Sequence, residues 1–144
     1  MSGLEEMQFR LAVSMAVVDG AISANEQTLL NHLGKSLELS EKEVNRLRKE
    51  ASRIDYAALH HLYTEKEQRL QLMEIACLMA MADGQAKPEE WQLSLRLAKA
   101  LHLNREEAKI CVQRARKRLL SMVKKHGMIE ELRDNLRKQG IEVE

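Results

Sequence analysis

The feature that most limits how this chain can fold is a stretch of sequence that occurs twice. Residues 15–20 read Met-Ala-Val-Val-Asp-Gly, and residues 79–84, which lie 64 positions further on, read Met-Ala-Met-Ala-Asp-Gly. The same offset aligns residues 11–47 with residues 75–111 without a gap, and many apolar positions of the two segments coincide. A register that holds over this length indicates a duplicated unit, so each copy must be interpreted with the other in view.

Apolar residues in both copies follow the spacing of a helix. From Leu4 to Val18 they recur every three or four positions, which predicts a helix that buries one stripe of its surface. The Asp-Gly pair that follows is typical of a turn that ends a helix. Capping patterns then predict the starts of further helices at Ser23 with Glu26, Ser40 with Glu43, Thr64 with Glu67, and Asn104 with Glu107.

The apolar pattern in the second half of the chain predicts a central helix followed by three further helices. The segment from Glu65 to Ala82 is apolar on several faces, which indicates a central position in the fold. After Pro88 we expect a helix whose buried face is formed by Trp91, Leu95, Leu97, Ala98 and Leu101. A long helix should then run to about Lys125, with Gly127 closing it, and a last helix should cover roughly residues 128–138.

These patterns together predict an all-α protein. We expect seven or eight helices, arranged as two pseudo-repeated helical units that pack face to face into one globular domain over residues 1–144. The internal repeats cover about residues 11–47 and 75–111. A chain of 144 residues with 44% hydrophobic residues can bury a full core without disulfides or metal ions.

The sequence predicts a cytoplasmic location. Its longest apolar run, Ile75 to Ala82, is far shorter than the roughly 20 residues that cross a bilayer. The first residues have neither the basic nor the apolar region of a secretory signal. Cys77 and Cys111 both fall within helical apolar patterns, so we expect core thiols and no disulfide framework.

The two Asp-Gly turns are the candidate functional residues. They match the second half of an EF-hand loop, but Met15 and Val17 occupy the positions of the first two ligands, and methionines do so in the second copy, which argues against ordinary calcium binding. In the structural interpretation, each Asp hydrogen-bonds its own turn. In the functional interpretation, a carboxylate repeated at the unfavourable end of a helix dipole holds a divalent cation. The candidate metal ligands are Asp19, Glu26, Asp83 and Glu90.

Other patterns give no catalytic or nucleic-acid site. There is no glycine-rich phosphate loop, no nucleophile elbow and no supported Ser/His/Asp arrangement, so we expect no enzyme activity. His60 and His61 are adjacent and point in different directions on a helix, which argues against a shared metal. Basic residues between Arg114 and Lys125 alternate with apolar ones, as on the solvated face of an amphipathic helix. Net charge is only +1, so we do not expect nucleic-acid binding.

The duplicated Asp-Gly turn, the Glu six residues after the Gly, and the Leu-x3-Leu-x3-Leu helix behind it resemble the TerB-like family. This family includes tellurite-resistance TerB proteins and the N-terminal domain of a membrane-anchored DnaJ co-chaperone. The resemblance covers about residues 4–125. It implies an all-helical domain, a bacterial stress, tellurite or metal-ion response, and acidic residues at the turns as the functional surface.

The resulting functional hypothesis is a non-enzymatic, cytoplasmic TerB-like module that binds a divalent cation weakly at its acidic turns. The alternative is a protein-interaction adaptor that uses an apolar groove between the repeats, and a homodimer is one form that such an interaction could take. A third hypothesis is phosphate binding through the basic helix, which would weaken steeply with salt.

Overall fold

The computed structural model describes residues 3–18, 22–82 and 88–126. Within these ranges the chain forms helices and no strand, so the all-α prediction is confirmed. The helices are α1 (Gly3–Val17), α2 (Ala24–Ser36), α3 (Glu41–Glu50), α4 (Leu59–Leu62), α5 (Lys66–Ala80), α6 (Pro88–Ala100) and α7 (Arg105–His126). Two short 3-10 turns, Ala51–Arg53 and Tyr56–Ala58, connect α3 to α4. No described helix combines the length and the apolar character that a membrane span requires.

The helices pack around α1 and α5. Helix α1 contacts α2 and α3, α5 contacts α6 and α7, and α1 and α5 contact each other. Both central helices bury residues on several faces, and Leu72, Ile75 and Ala76 of α5 are fully enclosed. The central position predicted for α5 is confirmed. The organisation into two repeated units within a single domain of residues 1–144 stays a prediction.

Side-chain caps fix where three of the described helices begin. The predicted capping boxes at Ser23 with Glu26 and at Ser40 with Glu43 are both present. Asn104 and Glu107 form the same reciprocal pair of bonds, at 2.8 and 2.9 Å, before α7. In this pair the backbone amide of Asn104 lowers the pKa of the Glu107 carboxyl. These caps were predictable because they depend on residues only three positions apart.

The capping box predicted at Thr64 and Glu67 was wrong. Helix α5 instead begins after Glu65, which makes no side-chain capping bond. The Glu67 carboxylate turns to α7, where its oxygens accept hydrogen bonds from Arg114 at 2.8 and 3.3 Å. A cross-helix ion pair has therefore taken the place of the local cap.

Helices α2 and α6 end in the same way. After α2, Glu38 takes the left-handed conformation with φ 59°, and after α6 His102 does so with φ 55°. Both turns are closed by equivalent backbone hydrogen bonds of 2.9–3.1 Å, donated by residues 37–39 in one and 101–103 in the other. These two helix ends, 64 positions apart, have the same backbone geometry although their central side chains differ in charge.

The face that α6 buries differs from the predicted one. Trp91 and Leu95 were expected in the core, but they are 43% and 69% exposed. The buried face is rotated towards Leu93 and Ser94, while Leu97 and Leu101 are buried as predicted. The prediction failed for Trp91 and Leu95 because residues 91, 95 and 98 form a helical stripe as regular as residues 93, 97 and 101.

Three predicted elements lie outside the described residues. The Asp-Gly pairs at 19–20 and 83–84 do so, as does the predicted final helix over residues 128–138 with Gly127 before it. Helix α7 itself ends at His126, close to the predicted end near Lys125.

Candidate acidic-turn site

The start of α2 is fixed by a capping box that contains one of the four predicted ligands. The Glu26 amide donates to Oγ of Ser23 at 3.1 Å, and Oε1 of Glu26 accepts from the Ser23 amide at 2.9 Å. Glu26 is almost completely buried. Its carboxylate therefore has a structural function at the helix start, because it satisfies an amide that has no partner within the helix.

The structure places the other three predicted ligands less completely. Asp19 and Asp83 lie outside the described residues, and Glu90 is described by its backbone alone, in the first turn of α6. Among the side chains that are described, no group of three His, Cys, Asp or Glu residues could hold a metal ion. The structure therefore does not test the set Asp19, Glu26, Asp83 and Glu90.

A buried asparagine connects the surroundings of the two turns. Nδ2 of Asn25, in the first turn of α2, donates to the carbonyl oxygen of Ala82 at 3.1 Å. Asn25 follows the first Asp-Gly pair by five residues, and Ala82 immediately precedes the second pair. The helix that follows one acidic turn is thus bonded to the residue that leads into the other. Sequence analysis did not identify Asn25, since a lone Asn in the first turn of a helix is a common capping residue.

Asn25 also has an unused acceptor. Asn25 is only 2% exposed, and its Oδ1 atom is buried without a hydrogen-bond partner among the described residues. A buried carbonyl-type oxygen left unpaired costs about 1–3 kcal/mol, so such an atom needs an explanation in a native structure. Amide oxygens are also among the ligands that hard cations accept.

The dipoles of α1 and α5 affect the electrostatic potential where these two helices end. Helices α1 and α5 both end at residues that lead into the acidic turns, at Val17 and Ala80. A helix carboxyl end carries a partial negative charge, which disfavours a nearby carboxylate and favours a nearby cation. The two carboxylates of the turns therefore follow two helix ends that already carry negative potential.

Replacing Asn25 by aspartate is expected to lower the free energy of unfolding by about 1–3 kcal/mol, because the buried Ala82 carbonyl loses its donor while the unpaired oxygen is kept. Urea unfolding followed by circular dichroism measures the change. Asn31→Asp is the matched control in the same helix, since Asn31 is exposed and its oxygen accepts a surface bond from Gln27. Equal effects from both variants would contradict a special function for Asn25.

The two cysteines and the basic helix, which were the other candidates from the sequence, have structural explanations. Cys77 and Cys111 are free thiols buried in the core, as predicted. In the basic helix, Arg114 pairs with Glu67, and Arg118 pairs with Glu74 at 3.1 Å. These pairs tie two cations of α7 to α5, so the basic run is partly neutralised. This argues against the hypothesis of phosphate binding along that helix.

Within the described residues the chain is all-helical, and Asn25, which follows the first Asp-Gly pair in the sequence, donates to Ala82, which precedes the second. The family model of the tellurite resistance protein TerB matches residues 9–113, and the chain belongs to the TerB family. The predicted family assignment is therefore confirmed. No curated protein and no solved structure gives a significant match to the chain.

Proposed function

We propose that this TerB-family chain is a non-enzymatic cytoplasmic module of a stress, tellurite or metal-ion response that binds a divalent cation weakly at its acidic turns. The observation that carries the proposal is the hydrogen bond from Asn25 to Ala82, which joins the surroundings of the two turns. The proposed carboxylate ligands are Asp19, Glu26, Asp83 and Glu90.

The chemistry of this end of the protein suits a hard cation. Such ions take several oxygen ligands from carboxylates, amides and backbone carbonyls, with water completing the shell. Asn25 Oδ1 is a buried oxygen without a partner among the described residues, and α1 and α5 end a few residues before the two turns in the sequence. A bound cation would offset the negative potential that these helix ends and carboxylates share.

Isothermal titration calorimetry with Ca²⁺, Mg²⁺, Mn²⁺ and Zn²⁺ tests this proposal. We expect saturable heat for at least one ion, and we expect that heat to be lost in the variant with Asp19→Ala and Asp83→Ala. The matched control is the variant with Glu41→Ala and Asp55→Ala, which removes two exposed carboxylates elsewhere and should bind as the parent does. Absence of heat for all four ions, or heat that survives the first double variant, would overturn the cation proposal.

A cytoplasmic setting is supported by the state of the two thiols. Both are free and buried, and free thiols are the normal state of cysteine in reducing compartments. Cell fractionation tests this part of the proposal. The tagged chain should be recovered in the same fraction as a cytoplasmic marker.

Protein binding is a second candidate function, and it is favoured by the exposed face of α6. Trp91 and Leu95 lie one turn apart and are 43% and 69% exposed, and large apolar residues at such positions are enriched in binding surfaces. Sedimentation velocity at increasing concentration tests a second copy of the chain as the partner. Association that Leu95→Asp abolishes supports this function, whereas a monomer at every concentration excludes the homodimer.

A further inference from the structure

Two adjacent histidines of α4 and a third histidine that is distant in sequence meet beside the end of α6. The ring centroids of His60 and His61 are 3.8 Å apart, and those of His60 and His102 are 3.9 Å apart and stacked. His60 and His61 belong to α4, whereas His102 is the left-handed residue that ends α6. The contact therefore depends on how α4 packs beside the turn between α6 and α7.

A groove of about 440 Å³ opens next to these rings. Its polar lining includes His60, His102, Arg96 and Lys99, with Tyr56 on the same wall. No acidic side chain is among the described residues that line it. Neither Arg96 nor Lys99 forms an ion pair within the part of the chain that the structure describes. The groove thus collects two permanent cations and two titratable rings without a carboxylate in its lining.

A larger groove along α3 serves as a comparison for the charges that line the α6 groove. It measures about 930 Å³, and its lining mixes acidic and basic side chains, among them Arg46 and Glu50, whose charged groups are 3.2 Å apart. Arg46 is therefore paired with carboxylates within the protein. The α6 groove has no carboxylate among its described lining residues, so its positive potential favours a ligand of opposite charge.

The lowered pKa of the His60 ring is consistent with partial burial in positively charged surroundings. Partial burial lowers the pKa of His60, and the neighbouring His102 and His61 lower it further, as does Arg69 of α5. Arg96 and Lys99 of α6 line the same groove as His60, and the hydroxyl of Tyr56, another lining residue, is bonded to Ser14 at 2.7 Å. An anion among these groups would favour the protonated ring and would bind more tightly when it is protonated.

We propose that the groove lined by His60, Arg96, Lys99 and His102 is a binding site for a small tetrahedral oxyanion of the phosphate type. Arg96 and Lys99 supply permanent positive charge, and the imidazoles of His60 and His102 supply ring N–H donors. The site is separate from the acidic turns and does not depend on cation binding there.

The first half of the chain provides an internal comparison. The positions 64 residues before Lys99 and His102 are Lys35 and Glu38, in a turn with the same backbone hydrogen bonds. A carboxylate thus occupies the place of the imidazole, with φ 59° against 55°. The substitution His102→Glu should therefore fold normally, and it places a negative charge inside the groove.

Titration with sulfate at pH 6 and at pH 8 tests the proposal, because sulfate keeps its charge over this range. Ionic strength is held constant with sodium chloride, and the ring signals of the histidines are followed by NMR. We expect saturable shifts of the His60 and His102 signals, with tighter binding at pH 6 than at pH 8, because a bound dianion favours the protonated form of His60, which burial and the neighbouring rings disfavour. Inorganic phosphate and phenyl phosphate, titrated in parallel, distinguish a free ion from a phosphomonoester as the preferred form.

Two variants decide whether the groove is the site. Binding should weaken at least about tenfold in the variant with Arg96→Gln and Lys99→Gln, and also in His102→Glu, since each removes a direct attraction for the anion. The control with Lys35→Gln and Arg53→Gln lowers the net charge equally, outside the groove, and should bind as the parent does. Shifts that do not saturate, or equal weakening by the control and the groove variants, would overturn the proposal.

Discussion

Replacing Leu72 by alanine is expected to lower the free energy of unfolding by about 2–5 kcal/mol. Leu72 is fully buried in α5, the helix that contacts α1, α6 and α7. Loss of its side chain removes buried apolar surface and leaves a cavity that the surrounding helices cannot fill without moving. Urea unfolding followed by far-UV circular dichroism measures the change, as a lower midpoint at an unchanged slope.

Leu95→Ala is the matched control for that experiment. It makes the same substitution within a helix, but Leu95 is 69% exposed, so its loss should change the stability by no more than about 0.5 kcal/mol. A loss as large as that of Leu72→Ala would show that the outward face assigned to α6 is wrong.

Cys77 and Cys111 are expected to react with a thiol reagent at least about a hundredfold more slowly in the folded protein than in urea. Burial raises the pKa of Cys77 to about 12 and that of Cys111 to about 11, so very little of the reactive thiolate forms at pH 8. The Cys111 thiol also contacts the Leu70 carbonyl at 3.5 Å. The rate of reaction with Ellman's reagent, with and without urea, measures the difference.

The same shifts predict how stability depends on alkaline pH. Since both folded-state pKa values lie above the ordinary value of about 9, the folded protein keeps protons that the unfolded chain releases. The stability that the neutral thiols contribute is complete below pH 9 and is lost as pH rises towards 11 and 12, by up to about 1.4 kcal/mol per pH unit for each thiol.

The variant with Cys77→Ala and Cys111→Ala isolates that contribution from the other groups that titrate at high pH. Its stability should fall less between pH 9 and 11 than that of the parent chain. Parallel curves for the two proteins, or fast labelling of the folded parent, would contradict burial of the thiols.

Elements that depend on close neighbours in the sequence could be predicted well. The caps at Ser23, Ser40 and Asn104 each require only a partner three residues away, and all three are present. The failure at Thr64 has the opposite origin, because Glu67 is drawn to Arg114, which is 47 positions distant. A local pattern cannot show which long-range partner competes for the same carboxylate.

The internal repeat could have predicted which face of α6 is buried, although helical periodicity alone could not. Helical spacing alone allowed Trp91 and Leu95 to face inward. Leu29 and Leu33 of α2 are fully buried, and the offset of 64 carries them to Leu93 and Leu97, both of which are buried. Using the offset to choose the face would have given the observed orientation.

The site residues that sequence reasoning missed depend on contacts between distant segments. Asn25 meets Ala82 across 57 positions, and His60 stacks on His102 across 42. Neither pair belongs to a recognised motif. Only the packing of helices from different parts of the chain brings them together, and no spacing rule within one helix predicts that packing.

In the turns after α2 and α6, the backbone conformation does not depend on the charge of the central side chain. Glu38 and His102 share one backbone conformation, held by main-chain hydrogen bonds that do not involve either side chain. A mutation there can exchange an acid for a base while the chain path is preserved. The two halves can thus acquire opposite surface charges, and different ligands, without any change to the architecture that carries them.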